Sequence, residues 1–307
     1  MFLMVEHTSN FPAYPQLDGI FVLNKPSGPS SAQCLKIFKC LGQKKIGHAG
    51  TLDPLANGVL LVLLGQATKL SSWLLAEGRK TYSATVRLGI ETDTWDTEGA
   101  ILASKPVDGI SAEAIGNAIA SLRGEQIQEV PAYSAAKFQG QPLYKLARKG
   151  IKAPVKHKTV KIYKAELLSA ELPHATFRVE CSSGSYIRSL AHSLGQRLGC
   201  GAALCNLTRE YSHPFSLAEA SALEELAGQP DILSGRLLPL SAALPDWPKI
   251  QLTAVQAGAV RNGQGVRASQ ESASHAFLCC GDTPLALARL DRASREARWQ
   301  VVRGLWN

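Results

Sequence analysis

The sequence has no CxxC pair and no Cys/His cluster at metal-ligand spacing, and its cysteine count, seven, is odd. That combination argues against a disulfide framework and a zinc site, and fits reduced thiols. Long hydrophobic runs are also missing. The longest aliphatic stretch, Val59–Leu64, is far short of the roughly 20 residues that cross a bilayer. Glu6 and His7 follow the apolar Met1–Val5 at once, with no basic start and no small-residue cleavage site, so no export signal is expected. The chain is expected in the cytoplasm, away from membranes. A P-loop, a GxGxxG after a strand, HExxH and GxSxG are all absent, so no cofactor and no metal are expected.

What is present is an ordinary globular composition over 307 residues, 45% apolar and 19% charged. That length suggests two domains, or one large domain with an appendage. Lys and Arg number 33 against 25 Asp and Glu, a net charge of +8. The excess is local. Residues 130–165 contain no acid, yet hold Lys137, Lys145, Arg148, Lys149, Lys152, Lys156, Lys158, Lys161 and Lys164. Tyr133, Phe138 and Tyr144 lie among them. Like charges without acidic neighbours repel unless an anion faces them. A polyanion with unstacked bases suits this pattern, and a solvated mobile loop is the alternative.

Hydrophobic periodicity predicts strands over 19–23, 59–64, 81–88, 126–130, 158–168, 175–181, 286–290 and 299–305. It predicts helices over 32–41, 67–76, 112–122, 186–198 and 216–227. Ser30 and Ser31 are placed to cap the first helix, and Ser185 the one at 186–198. Residues 47–58, punctuated by Gly and Pro, read as loop. The Leu/Pro/Ala-rich stretch 237–248 reads as a link. Strands and helices mix without regular βαβ alternation, which predicts an α+β class with a mixed, largely antiparallel sheet. A large domain over 1–245 and a small β domain over 250–307 are expected.

Within 47–58, Asp53 sits between Leu52 and Pro54 just before the apolar run. Apolar neighbours desolvate a carboxylate, and a buried carboxylate needs a cation. An Asx-type turn at Asp-Pro is the plain alternative. Taken singly, His48 reads as a structural histidine and Tyr82 as a core tyrosine. Arg188, on an otherwise apolar helix, calls for a buried partner.

Several ordered motifs together resemble the bacterial tRNA pseudouridine synthase B (TruB) family. They are Leu23-Asn24-Lys25-Pro26-Ser27-Gly28, then Gly47-His48 with Gly50-Thr51-Leu52-Asp53-Pro54-Leu55-Ala56 and Gly58, then Lys80-Thr81-Tyr82. Pro131–Ala135 with Lys137, Cys181-Ser182 with Gly184 and Tyr186-Ile187-Arg188, and Gly199–Ala202 with Leu207 and Arg209 follow. The chain departs from the family pattern at Ala49, Asn57, Ser30-Ser31, Val130 and Thr208, and none of these removes an acid, a base or a stacking group.

The resemblance implies the pseudouridine synthase fold with a PUA-like C-terminal domain, and isomerisation of uridine-55 in the tRNA T loop. Asp53 would be the catalytic nucleophile on a flipped-out base, paired with Arg188, while Tyr82 would stack on uracil and help proton transfer. Tyr186 and Leu207 would line the base pocket. His48 would fill the gap left in the T loop, and Lys25 would support the active-site loop or a phosphate. Lys137, Lys145, Arg148, Lys149 and Lys152, in an insertion over about 130–165, would dock the RNA backbone. The implied partner is the tRNA T stem-loop, and nothing demands more than a monomer. A non-catalytic tRNA-binding module and a guide-dependent rRNA pseudouridine synthase are the rival readings.

Overall fold

The aliphatic run at 59–64 becomes a strand buried on both faces, and the molecule is arranged around it. The computed structural model describes residues 14–76, 78–151, 154–268, 272–293 and 296–306. The N-terminal residues read for an export signal, and Lys152, lie outside the described residues.

The chain begins with β1 (Gly19–Lys25), the short helices α1 (Ser31–Cys34) and α2 (Lys36–Cys40), β2 (Ile46–Ala49) and β3 (Ala56–Leu64). Next come α3 (Ser71–Ala76), β4 (Lys80–Leu88), the paired β5 (Ile90–Thr92) and β6 (Ile101–Ser104), α4 (Ala112–Ala120) and β7 (Gly124–Glu129). The basic segment forms β8 (Lys137–Phe138), β9 (Gln141–Pro142) and α5 (Leu143–Arg148). It continues into the long pair β10 (His157–Glu171) and β11 (His174–Cys181), then α6 (Ile187–Leu198) and β12 (Ala202–Ser212). After β13 (Phe215–Ser216), β14 (Ser221–Ala222), α7 (Leu223–Gly228) and α8 (Ile232–Gly235), the C-terminal unit holds β15 (Lys249–Gln251) and α9 (Ala254–Arg261). It ends with β16 (Val266–Arg267), β17 (His275–Cys280), β18 (Thr283–Asp291) and β19 (Arg298–Gly304).

The central ten-stranded sheet runs β14-β1-β3-β12-β4-β11-β10-β7, with β2 on β3 and β13 on β12. Only β1–β14 and β3–β12 pair in parallel, so the sheet is mixed and largely antiparallel, as the α+β reading expects. A separate five-stranded sheet, β15-β17-β18-β19-β16, forms the C-terminal unit.

Alternation decides the packing. On β4, Tyr82, Ala84, Val86 and Leu88 are buried beneath α4 and α6 through Ile115, Ile119, Leu190 and Leu194. Lys80 falls on the same buried register. On β3, Leu60, Val62 and Leu64 pack with Phe21, Leu23 and Phe38, while Val59, Leu61 and Leu63 enter a second core with Trp247, Phe277 and Leu287. That second core joins the C-terminal unit to the central sheet. The link at 237–248 is therefore packed: Leu240, Ala243, Leu244 and Trp247 are buried, and Ile20 and Leu238 exchange backbone hydrogen bonds at 2.9 Å.

Three local expectations are corrected. The helix expected over 32–41 breaks at Leu35 into α1 and α2. The helix expected over 216–227 is interrupted by β14, which pairs with Leu23 and Asn24 of β1; sheet pairing overrides the local period there. Ser185 does not cap α6. The cap position is Tyr186, without a side-chain cap bond, and Ser185 Oγ donates to the Ser182 carbonyl instead, at 2.8 Å.

Candidate active site

β2 and β3 pair antiparallel, with His48 opposite Val62 and Ala49 opposite Leu61. The loop expected over 47–58 is thus reduced to residues 50–55 between two strands. Gly50 opens it with φ +78°, and a Cβ there would lie 2.9 Å from Lys80 Nζ. Gly58, at φ +102°, lets β3 approach β12 so closely that a Cβ would meet the Arg209 carbonyl at 2.3 Å. These are positions only glycine fills without strain.

The loop is held from behind by the Lys25-Pro26-Ser27-Gly28 segment and α1. The Ser31 hydroxyl donates to the Leu52 carbonyl and accepts from the Leu52 N–H, both at 2.9 Å. The Gly28 N–H donates to Pro54 O at 2.8 Å, and Ser27 Oγ to Leu55 O at 2.9 Å. Lys25 Nζ donates to the carbonyls of Pro26 (2.9 Å), Pro54 (3.3 Å) and Ala56 (2.7 Å). Lys25 is fully buried, and burial lowers its pKa to about 8. Of the two alternatives expected for Lys25, the active-site loop or a phosphate, the three bonds run to the loop.

Asp53 is presented by this loop, and Arg188 comes from the first turn of α6. Arg188 Nε lies 2.9 Å from Asp53 Oδ2, while Nη1 lies 3.5 Å from Asp96 Oδ2. The contact to Asp53 is an ion pair not aligned as a hydrogen bond. The Arg188 side chain is 5% exposed and Asp96 6%, whereas Asp53 keeps 36%. Arg188 is further fixed by donating from Nη1 to Thr94 O at 3.1 Å and from Nη2 to Tyr133 O at 2.8 Å. Four anchors leave one guanidinium orientation and one accessible carboxylate.

Sequence reasoning missed Asp96. It stands in an acidic, polar run (Asp93 to Glu98) that reads as surface turn. Trp95 folds that turn back by stacking on His192 of α6, ring centroids 4.7 Å apart, which brings Asp96 under Arg188. Burial raises the pKa of Asp96, against the hydrogen bond from Thr94 and the charge of Arg188.

Asp53 opens onto a pocket of about 420 Å³ whose wall includes Tyr82, Tyr186, Arg188, Leu207, Lys80 and Lys158. The structure thus brings together five of the residues expected from sequence and adds two lysines. Burial raises the Tyr82 phenol, against the charge of Arg209. Tyr186 is set by Gln128, which accepts its N–H at 2.9 Å and donates to its carbonyl at 3.4 Å. His48 does not line this pocket. It is half-buried on β2, its pKa lowered by burial and by Arg209.

In the basic segment, Lys137, Lys145, Arg148 and Lys149 are exposed and form no ion pair among the described residues. The segment carries the hairpin β8–β9 and the helix α5, and Tyr133 ties its root to Arg188. Arg148 sits 5.8 Å from the Tyr144 ring centroid. No helix among the described residues is long and apolar enough to cross a membrane.

Comparison with known proteins bears on the family and the fold. Residues 38–187 match the TruB family pseudouridylate synthase N-terminal domain. The chain is 54% identical over 301 residues to tRNA pseudouridine synthase B of Nitratidesulfovibrio vulgaris (strain DSM 19637 / Miyazaki F), covering 95% of this chain and 98% of that one. It is 44% identical over 260 residues to tRNA pseudouridine synthase B of Pseudomonas aeruginosa (strain UCBPP-PA14), covering 83% and 85%. In a crystal structure of a Cbf5–Nop10–Gar1 complex, one chain superposes with a TM-score of 0.69 at 26% identity, over 94% of this chain and 85% of that one.

Proposed function

This chain belongs to the TruB family of pseudouridylate synthases, and on that premise we propose that it isomerises uridine-55 in the tRNA T loop with Asp53 as nucleophile. The observation that carries the reading is the half-exposed Asp53 aimed into the pocket by a buried, four-way anchored Arg188. Asp53 attacks C1′, the N1–C1′ bond breaks, the uracil turns, and C5 joins C1′ as the carboxylate leaves. C5 gives up a proton and N1 gains one. The rearrangement is redox-neutral and consumes no water, so it asks for no cofactor.

Tyr82 and Leu207 form the apolar bed for a flipped base, and Tyr186 its outer wall. Unstacking a base costs a few kcal/mol, which aromatic stacking and phosphate contacts offset. His48, half-exposed on β2, is assigned to the gap left in the T loop. Lys137, Lys145, Arg148, Lys149 and Lys152 are assigned to the RNA backbone, and the C-terminal sheet to tRNA outside the loop. High identity to two tRNA enzymes over most of the chain favours tRNA over a guide-dependent substrate.

The test is an unmodified T-arm stem-loop incubated with the purified protein and a chelator, then mapped by carbodiimide adduct and primer extension. One modified uridine at position 55 is the expected result. Salt-dependent binding without product would leave a binding module. The docking assignment is tested separately. Replacing Lys145, Arg148 and Lys149 with Ala is expected to weaken tRNA binding and to lower the slope of log K against log salt by roughly two to three. An unchanged slope would remove that surface from the interface.

A further inference from the structure

Of the two lysines that line the pocket and are left without work by the reaction as described, Lys80 is the buried one. It is 6% exposed, and its ammonium makes no hydrogen bond or ion pair among the described residues. Its ammonium lies against Gly50, three residues before Asp53. The charged groups around it come from every neighbouring strand. Arg209 of β12 and Lys158 of β10 repel its charge, and the Cys181 thiol of β11 is the favourable neighbour. Burial first, then Arg209, lowers its pKa to about 7. A largely buried ammonium without a partner carries an uncompensated desolvation cost. Such a group persists where an incoming partner needs it.

The other cations differ in burial or in bonding, although the Arg209 Nη1 is also buried without a hydrogen-bond partner. Arg188 is held by two carboxylates and two carbonyls. Arg209 is fully buried and donates to Val59 O at 2.6 Å and Gly50 O at 2.7 Å. Lys25 is closed under the loop. Lys158 lines the pocket but is exposed, where water screens its charge.

When N1–C1′ breaks, the electron pair stays on the uracil and spreads to its carbonyl oxygens. We propose that Lys80 binds a carbonyl oxygen of the detached uracil and carries its negative charge until C5 bonds to C1′. The ammonium keeps its proton throughout. The pair returns to the new C5–C1′ bond as the Asp53–C1′ bond breaks, which discharges the anion and returns the charge to Asp53; C5 then loses its proton and N1 gains one. This assignment rests on the pseudouridine-forming reaction proposed above.

The test compares Lys80→Met with wild type in single-turnover reactions on T-arm stem-loops carrying uridine or 5-fluorouridine at the target position. Consumption of the starting nucleoside is followed in digests. Fluorine stabilises the detached uracil anion, so a group that carries its charge matters less for that substrate. Lys80→Met is expected to slow uridine by about 100-fold and 5-fluorouridine by about tenfold or less, with unchanged stem-loop affinity and no loss of thermal stability. Equal slowing of both substrates, or an unchanged rate, overturns the assignment. If Lys80→Met does not fold, Lys80→Gln, which keeps a donor and loses the charge, carries the same comparison. No product from wild type on uridine would instead remove the premise.

Discussion

Asp53→Asn is expected to lower pseudouridine formation by about 10⁴-fold or more, while tRNA affinity stays within about 1 kcal/mol of wild type. The separation follows from how the loop is built. Its shape depends on backbone carbonyls held by Lys25, Ser27 and Gly28 and on the Ser31–Leu52 exchange. None of these bonds uses the Asp53 carboxylate. Arg188 retains Asp96, Thr94 and Tyr133 when the charge at 53 is removed. The amide is isosteric but is no nucleophile toward C1′. Affinity survives because it is spread over many phosphate contacts. Tritium released from C5 of the target uridine measures turnover, and filter binding measures affinity. Residual turnover within tenfold of wild type would show that Asp53 does not attack C1′. Loss of binding together with turnover would make Asp53 structural.

That Asp53 needs a cation and Arg188 a partner was legible because each residue is anomalous for its surroundings, one a carboxylate between Leu and Pro, the other an arginine on an apolar helix. That they pair with each other was implied only by the resemblance to the TruB family. The strand β4 was legible from its alternation, and the same alternation contained Lys80. The strand expected over 81–88, however, starts one residue after Lys80, so its alternation places no lysine in the core. Asp96 carried no such signal. Its burial is created by a turn whose direction depends on Trp95 meeting His192, about a hundred positions along the chain. Likewise, Ser31 looked like a helix cap, but its hydroxyl meets Leu52 across the fold. Local rules see what neighbouring residues do to each other. The fastening of the loop that presents Asp53 is made of partners distant in sequence, and only the fold brings them together.

Arg188→Leu should cost both chemistry and stability, and the two losses are separable. Removing one partner of a buried ion pair leaves the other charge uncompensated, typically at about 3–5 kcal/mol. Here the stranded group is Asp96, whose side chain is 6% exposed and which keeps only the Thr94 hydroxyl and the Glu98 N–H as donors. Its pKa, already raised by burial, rises further when Arg188 is gone. A carboxyl whose folded pKa lies above its unfolded value holds a proton in the native state that the unfolded chain has lost. Stability then falls as pH rises from about 4, the unfolded value, through the folded one. The deficit of Arg188→Leu relative to wild type, measured by urea titration, should therefore be smallest near pH 4 and grow toward pH 7. Adding Asp96→Asn removes the stranded charge and is expected to recover most of the stability and flatten the pH dependence. It should not recover turnover, because Asp53 would still lack the guanidinium that aims it. A deficit that is the same at every pH would show that Asp96 does not lean on Arg188. Recovered turnover in the double variant would show that Arg188 acts through the fold alone.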